Sequence, residues 1–172
     1  MHPIATFNAV FTTPFGKVGL RTEANAICEI VYLPNTVQEV SPNNALARQA
    51  VRQIERYLKQ PSATFDLPLA TVGSVFQRRV WQAISEIAPG TVQTYGQLAR
   101  LIGSAPRAVG QACGSNYFPL VIPCHRVVGA NGIGGFAHHA GDGYFRTVKR
   151  WLLAHEGVNY NSDSVSSIFK NK

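Results

Sequence analysis

Residues 120–128 read Leu-Val-Ile-Pro-Cys-His-Arg-Val-Val, and no other stretch restricts the fold as strongly. Three apolar residues, Leu120, Val121 and Ile122, predict a short buried strand. Pro123 removes a backbone donor and forbids further ladder pairing, so the chain must turn there. The first residue past that stop is Cys124, with His125 and Arg126 behind it. A buried strand that ends in a thiol beside cationic neighbours aims a nucleophile into a pocket. A free thiol with a pKa near 8.5 is only roughly 3% ionised at neutral pH, and the thiolate is the reactive form. Imidazole and guanidinium neighbours favour that anion. Adjacent residues of extended chain point to opposite faces, so His125 is expected to reach Cys124 through a turn or a bridging water. Taken alone, a Cys-His pair also fits a packed core cysteine.

The residues before this stretch predict three helices. Ser74 and Gln77 form a capping box for the first, with Phe76, Val80, Ala83, Ile84 and Ile87 at helical spacing until Pro89-Gly90. Thr94 and Gln97 repeat the box for the second, whose expected buried side chains are Leu98, Leu101 and Ile102, with Gly103 at its end. Pro106 opens a third helix that reaches about Gly114. Two short helices joined by a Gly- and Pro-containing turn make a helix-turn-helix pattern, although an ordinary helical hairpin reads the same way.

On the third helix, Arg107, Gly110, Gln111 and Gly114 share one face, and Val109, Ala112 and Cys113 share the other. A mid-helix glycine costs about 1 kcal/mol relative to alanine, so Gly110 predicts a close approach to the backbone. One arginine on a face of small residues is unlike a major-groove reading helix, which carries several long polar side chains. It suits a sequence-indifferent helix lying in a minor groove.

These segments together resemble the O6-alkylguanine-DNA alkyltransferases, or methylated-DNA–protein-cysteine methyltransferases. Pro123-Cys124-His125-Arg126-Val127 matches their active-site motif without a change. Ser74 to Trp81, Thr94 to Ala99, Pro106 to Gly110, Asn116 and Leu152-Leu153-Ala154-His155-Glu156-Gly157 follow in family order. The likeness is close over 73–157 and loose over 4–72.

The resemblance implies a ribonuclease-H-like α+β first domain and a mainly helical second domain with a winged-helix-like helix-turn-helix. It implies that Cys124 accepts the alkyl group, that His125 serves as base through water, that Glu156 orients His125 and supports its positive form, and that Asn116 ties the active-site turn. Arg107 would replace the flipped nucleotide in the stack, Tyr95 would drive its rotation, and Gly110, Gln111 and Gly114 would lie against DNA. Pro119, Val127, Phe136 and Ala137 would line the substrate pocket. Tyr117 stands where the family usually has proline, Phe136 where it generally has tyrosine, and the segment 137–145 is longer than usual. Some relatives hold zinc in an N-terminal Cys/His set; with only Cys28 and His2 in the first 70 residues, no metal and no cofactor are expected. The implied partner is duplex DNA carrying O6-alkylguanine, with O4-methylthymine as a further substrate, bound by a monomer through the minor groove.

The first half predicts a meander of strands over 4–12, 17–22 and 26–33, with Cys28 packed in the third. A helix follows, with Ser41 as expected cap, Pro42 at the first position and Leu46, Ala50, Val51, Ile54 and Leu58 as its apolar stripe, ending at Pro61. Residues 61–72 read as a linker with one short strand. The domains expected are therefore 1–72, 73–157 and a Ser- and Asn-rich disordered tail over 158–172.

Charge divides along the same line. Of the net +7, residues 1–72 contribute +1 and residues 73–172 contribute +6, which predicts an anionic partner for the second half unless the charge only solvates a surface. Three widely spaced cysteines make no disulfide framework, and no apolar run approaches a membrane span, so a reducing cytoplasmic setting is expected. Six glycines over 129–143 suggest a lid rather than a phosphate loop, since no Gly-Lys-Ser/Thr follows. His138 and His139 in that loop lack a spaced set of metal partners. A final helix over 144–156, with Val148, Trp151 and Leu152 as its expected buried stripe, ends in Glu156, where an acid opposes the helix dipole and needs a partner. A Cys-His-Glu hydrolase would use the same three residues, and a non-transferring sensor of alkylated DNA would keep the fold without the cysteine.

Overall fold

The structure, a computed structural model, describes residues 7–134 and 143–158. The described residues form two compact units, 7–72 with 117–119, and 73–116 with 120–134 and 143–158.

In the first unit, strands β1 (Ala9–Thr13), β2 (Gly16–Glu23) and β3 (Ala26–Leu33) pair as an antiparallel meander in the order β1-β2-β3. Helix α1 (Ala45–Lys59) covers one face of the sheet. Val18, Leu20, Ile27 and Ile30 meet Ala47, Ala50, Ile54 and Tyr57 in the core, all almost fully buried. Ser41 does not cap this helix. Asn44 does, through its side-chain oxygen, which accepts from the Ala47 amide at 2.8 Å. The helix starts three residues later than expected, because Asn43 and Asn44 follow Pro42 and the second of them holds the first turn. The short strand expected in 61–72 is a single parallel bridge: the Ile27 amide donates to the Pro68 carbonyl and the Ala70 amide to the Ile27 carbonyl, both at 2.8 Å.

The second unit holds α2 (Val75–Ser85), β4 (Gln93–Thr94), α3 (Tyr95–Ile102), α4 (Pro106–Gly114), a 3-10 turn (Cys124–Arg126), β5 (Val127–Val128) and α5 (Tyr144–His155). Both capping boxes form, Ser74 with Gln77 and Thr94 with Gln97. Gly103 closes α3 in the left-handed conformation (φ 70°), which glycine adopts without a Cβ penalty, and Pro106 starts α4 after a three-residue connection. Helices α3 and α4 are therefore two short helices packed together across a tight turn. Within α3 the buried face is Leu98 and Ala99; Leu101 is 65% exposed, contrary to expectation. The Trp81 indole on α2 donates to the Ala112 carbonyl on α4 at 2.8 Å, tying the support helix to the outer one. Gly73 precedes α2 at φ 84°, and a Cβ there would strike the Trp81 ring at 2.7 Å.

Strand β4 runs parallel to β5, pairing Gln93 with Val127 and Thr94 with Val128. This short pairing joins the entrance of α3 to the residues just after Cys-His-Arg. Beneath it, Val92, Val128, Ile133, Leu153 and Val158 form a buried cluster. Among the described residues no helix is long and apolar enough to cross a membrane.

Candidate active site

The apolar run 120–122 does not form a strand. It is a turn, with Leu120 at φ 74°, a conformation costly for a bulky residue and usually over-determined by its surroundings. Asn116 supplies part of that restraint. Its amide donates to the Ile122 carbonyl at 2.9 Å and to Cys124 Sγ at 3.1 Å. One side chain thus fixes the turn and touches the thiol.

Past Pro123 the chain enters the 3-10 turn, where successive side chains lie about 120° apart rather than on opposite faces. Cys124, His125 and Arg126 are all buried. His125 Nε2 lies 2.7 Å from Glu156 Oε2. Arg126 donates to the same carboxylate through Nε (2.8 Å) and NH2 (3.0 Å), and through NH1 to the Ile87 carbonyl (2.7 Å). The Gly90 amide adds a further donor to Glu156 Oε1 at 3.1 Å. The acid that opposes the dipole of α5 is held by these three partners.

The protonation states follow from burial. Burial pushes the His125 pKa down, and Arg126 and Lys149 push the same way; the hydrogen bond and charge of Glu156 oppose them without prevailing. The resting imidazole is therefore neutral, the form in which a base can take a proton. A neutral ring whose Nε2–H points at Glu156 presents Nδ1 as the basic nitrogen, and Nδ1 is buried with no protein hydrogen-bond partner. The Cys124 thiol is raised well above its ordinary value, first by the neighbouring Cys113, whose carbonyl oxygen lies 3.5 Å from Sγ, and then by burial. The Asn116 hydrogen bond and the charge of Lys149 pull it back.

Lys149 was not singled out by the sequence reading. It is fully buried on α5, its ammonium donates to the Val127 carbonyl at 2.7 Å, and it sits 5.8 Å from the centre of the Tyr95 ring. Burial pulls its pKa down to about 7. The available signal was its position, three and four residues before Leu152 and Leu153 on a stripe that is otherwise apolar. That stripe is Val148, Lys149, Leu152 and Leu153, whereas Trp151 is half-buried and stacks on His155.

On α4, Arg107 and Gln111 are exposed and Gly110 and Gly114 half-buried on one side, with Val109, Ala112 and Cys113 buried on the other. A Cβ on Gly110 would meet nothing closer than the Tyr95 ring at 4.0 Å, so the fold itself does not demand glycine there. Beside this face an open hollow of ≈ 480 Å³ is lined by Tyr95, Gln97, Arg100, Pro106 and Ala130, and Cys124 is not part of its wall. Tyr95 is half-buried, and burial raises its phenol. Val127 is buried beside the site, and Pro119 is half-buried in the first unit. Phe136, Ala137, His138 and His139 lie outside the described residues, as do His2 and residues 159–172. Among the described residues no three His, Cys, Asp or Glu side chains are grouped to hold a metal.

Residues 75–158 match the family model described as the DNA binding domain of 6-O-methylguanine DNA methyltransferase. A methylated-DNA–protein-cysteine methyltransferase of Methanosarcina acetivorans is 35% identical over 88% of this chain and 98% of that protein. The chain belongs to the methylated-DNA–protein-cysteine methyltransferase family. A constitutive methylated-DNA–protein-cysteine methyltransferase of Bacillus subtilis is also 35% identical, over 86% of this chain and 93% of its own length. Among solved structures, the Mycobacterium tuberculosis OGT in complex with DNA superposes with a TM-score of 0.71 at 32% identity, covering 86% of this chain and 91% of that one. Within this methyltransferase family framework, the sequence motif falls on the short turn whose His125 pairs with Glu156 at the end of α5.

Proposed function

We propose that this chain repairs DNA by flipping an O6-alkylated guanine out of the duplex and accepting its alkyl group on Cys124. Flipping is needed because the O6 substituent is stacked inside the helix. The observation that carries the reading is the arrangement around one buried thiol. Asn116 donates to Sγ, and the adjacent neutral imidazole has Nε2 committed to Glu156 and Nδ1 free to take a proton. This is the orienting logic of a nucleophile–base–acid triad applied to sulfur.

In the transfer, the thiol proton passes through a water to His125 Nδ1. The Sγ anion attacks the alkyl carbon, the S–C bond forms as the C–O6 bond breaks, and guanine departs as an anion that is reprotonated. Glu156 stabilises the imidazolium formed midway, and Arg126 and Gly90 keep that carboxylate in place. A thioether offers no hydrolysable bond, so each molecule acts once.

The face of α4 that carries Arg107, Gly110, Gln111 and Gly114 lies along the minor groove, with Arg107 entering the stack and Tyr95 beside the rotating nucleotide. O4-alkylthymine presents a similar alkyl ether and is a candidate second substrate. Pro119, Val127, Phe136 and Ala137 are assigned to the substrate pocket. The meander with α1 is read as a ribonuclease-H-like unit, the helix-turn-helix as part of a winged-helix-like one, and the protein as a cytoplasmic monomer with two domains meeting near residue 73.

The test is intact mass after incubation with duplex DNA containing O6-methylguanine. One added methyl group, mapped to Cys124 and absent in Cys124→Ser while DNA binding persists, is the expected outcome. Methyl transfer in the serine variant, or repeated turnover by one molecule, would overturn the assignment.

A further inference from the structure

The first unit is almost neutral as a whole, yet its charges are sorted. Residues 1–72 hold six Lys/Arg and five Asp/Glu. Helix α1 takes four of the six, Arg48, Arg52, Arg56 and Lys59, with Glu55 as its one acid. The helix therefore carries +3 and the rest of that span −2. By helical geometry the four cations fall within an arc of about 80°, turned away from Ala47, Ala50, Ile54 and Tyr57 in the core. All four are exposed. Arg56 donates to the Thr64 carbonyl at 2.7 Å. Among the described residues, the side chains of Arg48, Arg52 and Lys59 make no hydrogen bond or ion pair, although Glu55 stands four positions before Lys59.

This arrangement does not serve the helix itself. Arg48 with Arg52, and Arg52 with Arg56, are like-charge pairs at i,i+4, which destabilise a helix. The first turn also holds no acid to complement the dipole. A face kept only for solvation would intersperse both signs. The stripe instead runs along roughly 17 Å of helix, a length over which duplex DNA carries about ten phosphate charges. Apart from Ala45, every exposed position of α1 is charged, so the face suits a polyanion and not an apolar partner.

We propose that the exposed face of α1 is a second DNA contact, where Arg48, Arg52 and Lys59 bind backbone phosphates without regard to sequence. It lies outside residues 75–158, which match the DNA-binding family model. The contact reads no base and takes no part in transfer. It adds affinity for undamaged duplex, the form along which a lesion is sought. DNA as the occupant rests on the repair reading; the segregation of charge does not.

The experiment compares the full-length parent with one variant carrying Arg48→Gln, Arg52→Gln and Lys59→Gln together, which leaves Arg56 on its carbonyl. Duplex affinity is measured by fluorescence anisotropy across a salt series, and Lys59 is acylated with and without duplex. The variant's slope of log affinity against log salt should be shallower by about two to three, with affinity at low salt weaker by about tenfold or more. Its reaction with free O6-benzylguanine should be unchanged and its urea midpoint no lower than the parent's. Duplex should protect Lys59 of the parent from acylation severalfold. An unchanged slope in the folded variant, a weaker affinity at the parent's slope, or an unprotected Lys59 would overturn the proposal. Unchanged duplex binding with lost binding of poly-glutamate would assign the stripe to an acidic protein and overturn it too. Weaker duplex binding by Arg107→Ala beside an unchanged triple variant would sink the stripe and leave the repair reading standing. A shallower slope in the triple variant, in a protein that transfers no methyl, would support the stripe and count against the repair reading alone.

Discussion

Arg126 and Glu156 are joined by two hydrogen bonds, Nε to Oε1 at 2.8 Å and NH2 to Oε2 at 3.0 Å, although 30 residues separate them. The Glu156 side chain is fully buried, and His125 and the Gly90 amide bind the same carboxylate. A buried carboxylate with that many donors stays ionised and keeps one orientation. Arg126 is therefore the reason that Glu156 can serve His125 at all.

Removing that guanidinium leaves a buried charge short of its main partner, which typically costs about 3–5 kcal/mol. Arg126→Met should lower the urea midpoint by a corresponding amount. Arg126 also holds the His125 pKa down, so its loss should raise that pKa and move the acid limb of the transfer profile to higher pH. Arg126→Lys keeps the charge without the fork and should recover only part of the stability. An unchanged His125 titration by NMR in a folded Arg126→Met protein would separate the arginine from the site.

Local signals were the legible ones. The Ser74–Gln77 and Thr94–Gln97 boxes, the two-faced α4 and the three-strand meander could be read because each depends on residues a few positions apart. The helix cap was misplaced because Ser41, Asn43 and Asn44 all compete for it and only the contact of Asn44 with the Ala47 amide decides. The strand expected at 120–122 failed for a tertiary reason: Asn116 takes the Ile122 carbonyl that a ladder would have used. The pairing of His125 with Glu156 was expected from the resemblance and forms, whereas the Arg126–Glu156 fork and the Lys149–Val127 contact join distant segments and left no periodic trace.

Asn116 divides one amide between structure and chemistry. Asn116→Ala removes the donor to the Ile122 carbonyl, at a cost of about 1–3 kcal/mol for an acceptor left unpaired, and also removes a contact that lowers the Cys124 pKa. Transfer should slow by roughly tenfold for each 1.4 kcal/mol of lost anion stabilisation. Asn116→Asp should be slower still, because a carboxylate beside Sγ disfavours the thiolate. A rate in the aspartate variant equal to that of the parent would show that the amide does not act on the sulfur.

Arg107 is exposed on the small-residue face of α4. Arg107→Ala should leave folding untouched, weaken duplex binding, and slow repair of duplex DNA far more than reaction with free O6-benzylguanine, which requires no flipping. The parent's affinity should fall with rising salt, as phosphate contacts demand, and the variant's salt slope should be shallower by about one. Equal losses on both substrates would assign Arg107 to the fold instead.

Lys149 gives the site a pH dependence whose sign can be worked out. Its folded pKa lies at about 7, against about 10.4 for an unfolded lysine. Between those values the unfolded chain binds the extra proton, so this residue makes stability rise with pH. The raised thiol of Cys124 acts oppositely, but only as pH approaches the ordinary thiol pKa, because there the folded state retains a proton that the unfolded state gives up. The comparison therefore belongs between pH 7 and about 8.5. Across that window the parent should gain up to roughly 2 kcal/mol on Lys149→Met, at ~1.4 kcal/mol per pH unit. Urea titrations of both proteins at several pH values measure this difference. Parallel stability curves would mean that Lys149 keeps its proton in the folded protein and stands as a permanent cation beneath Tyr95.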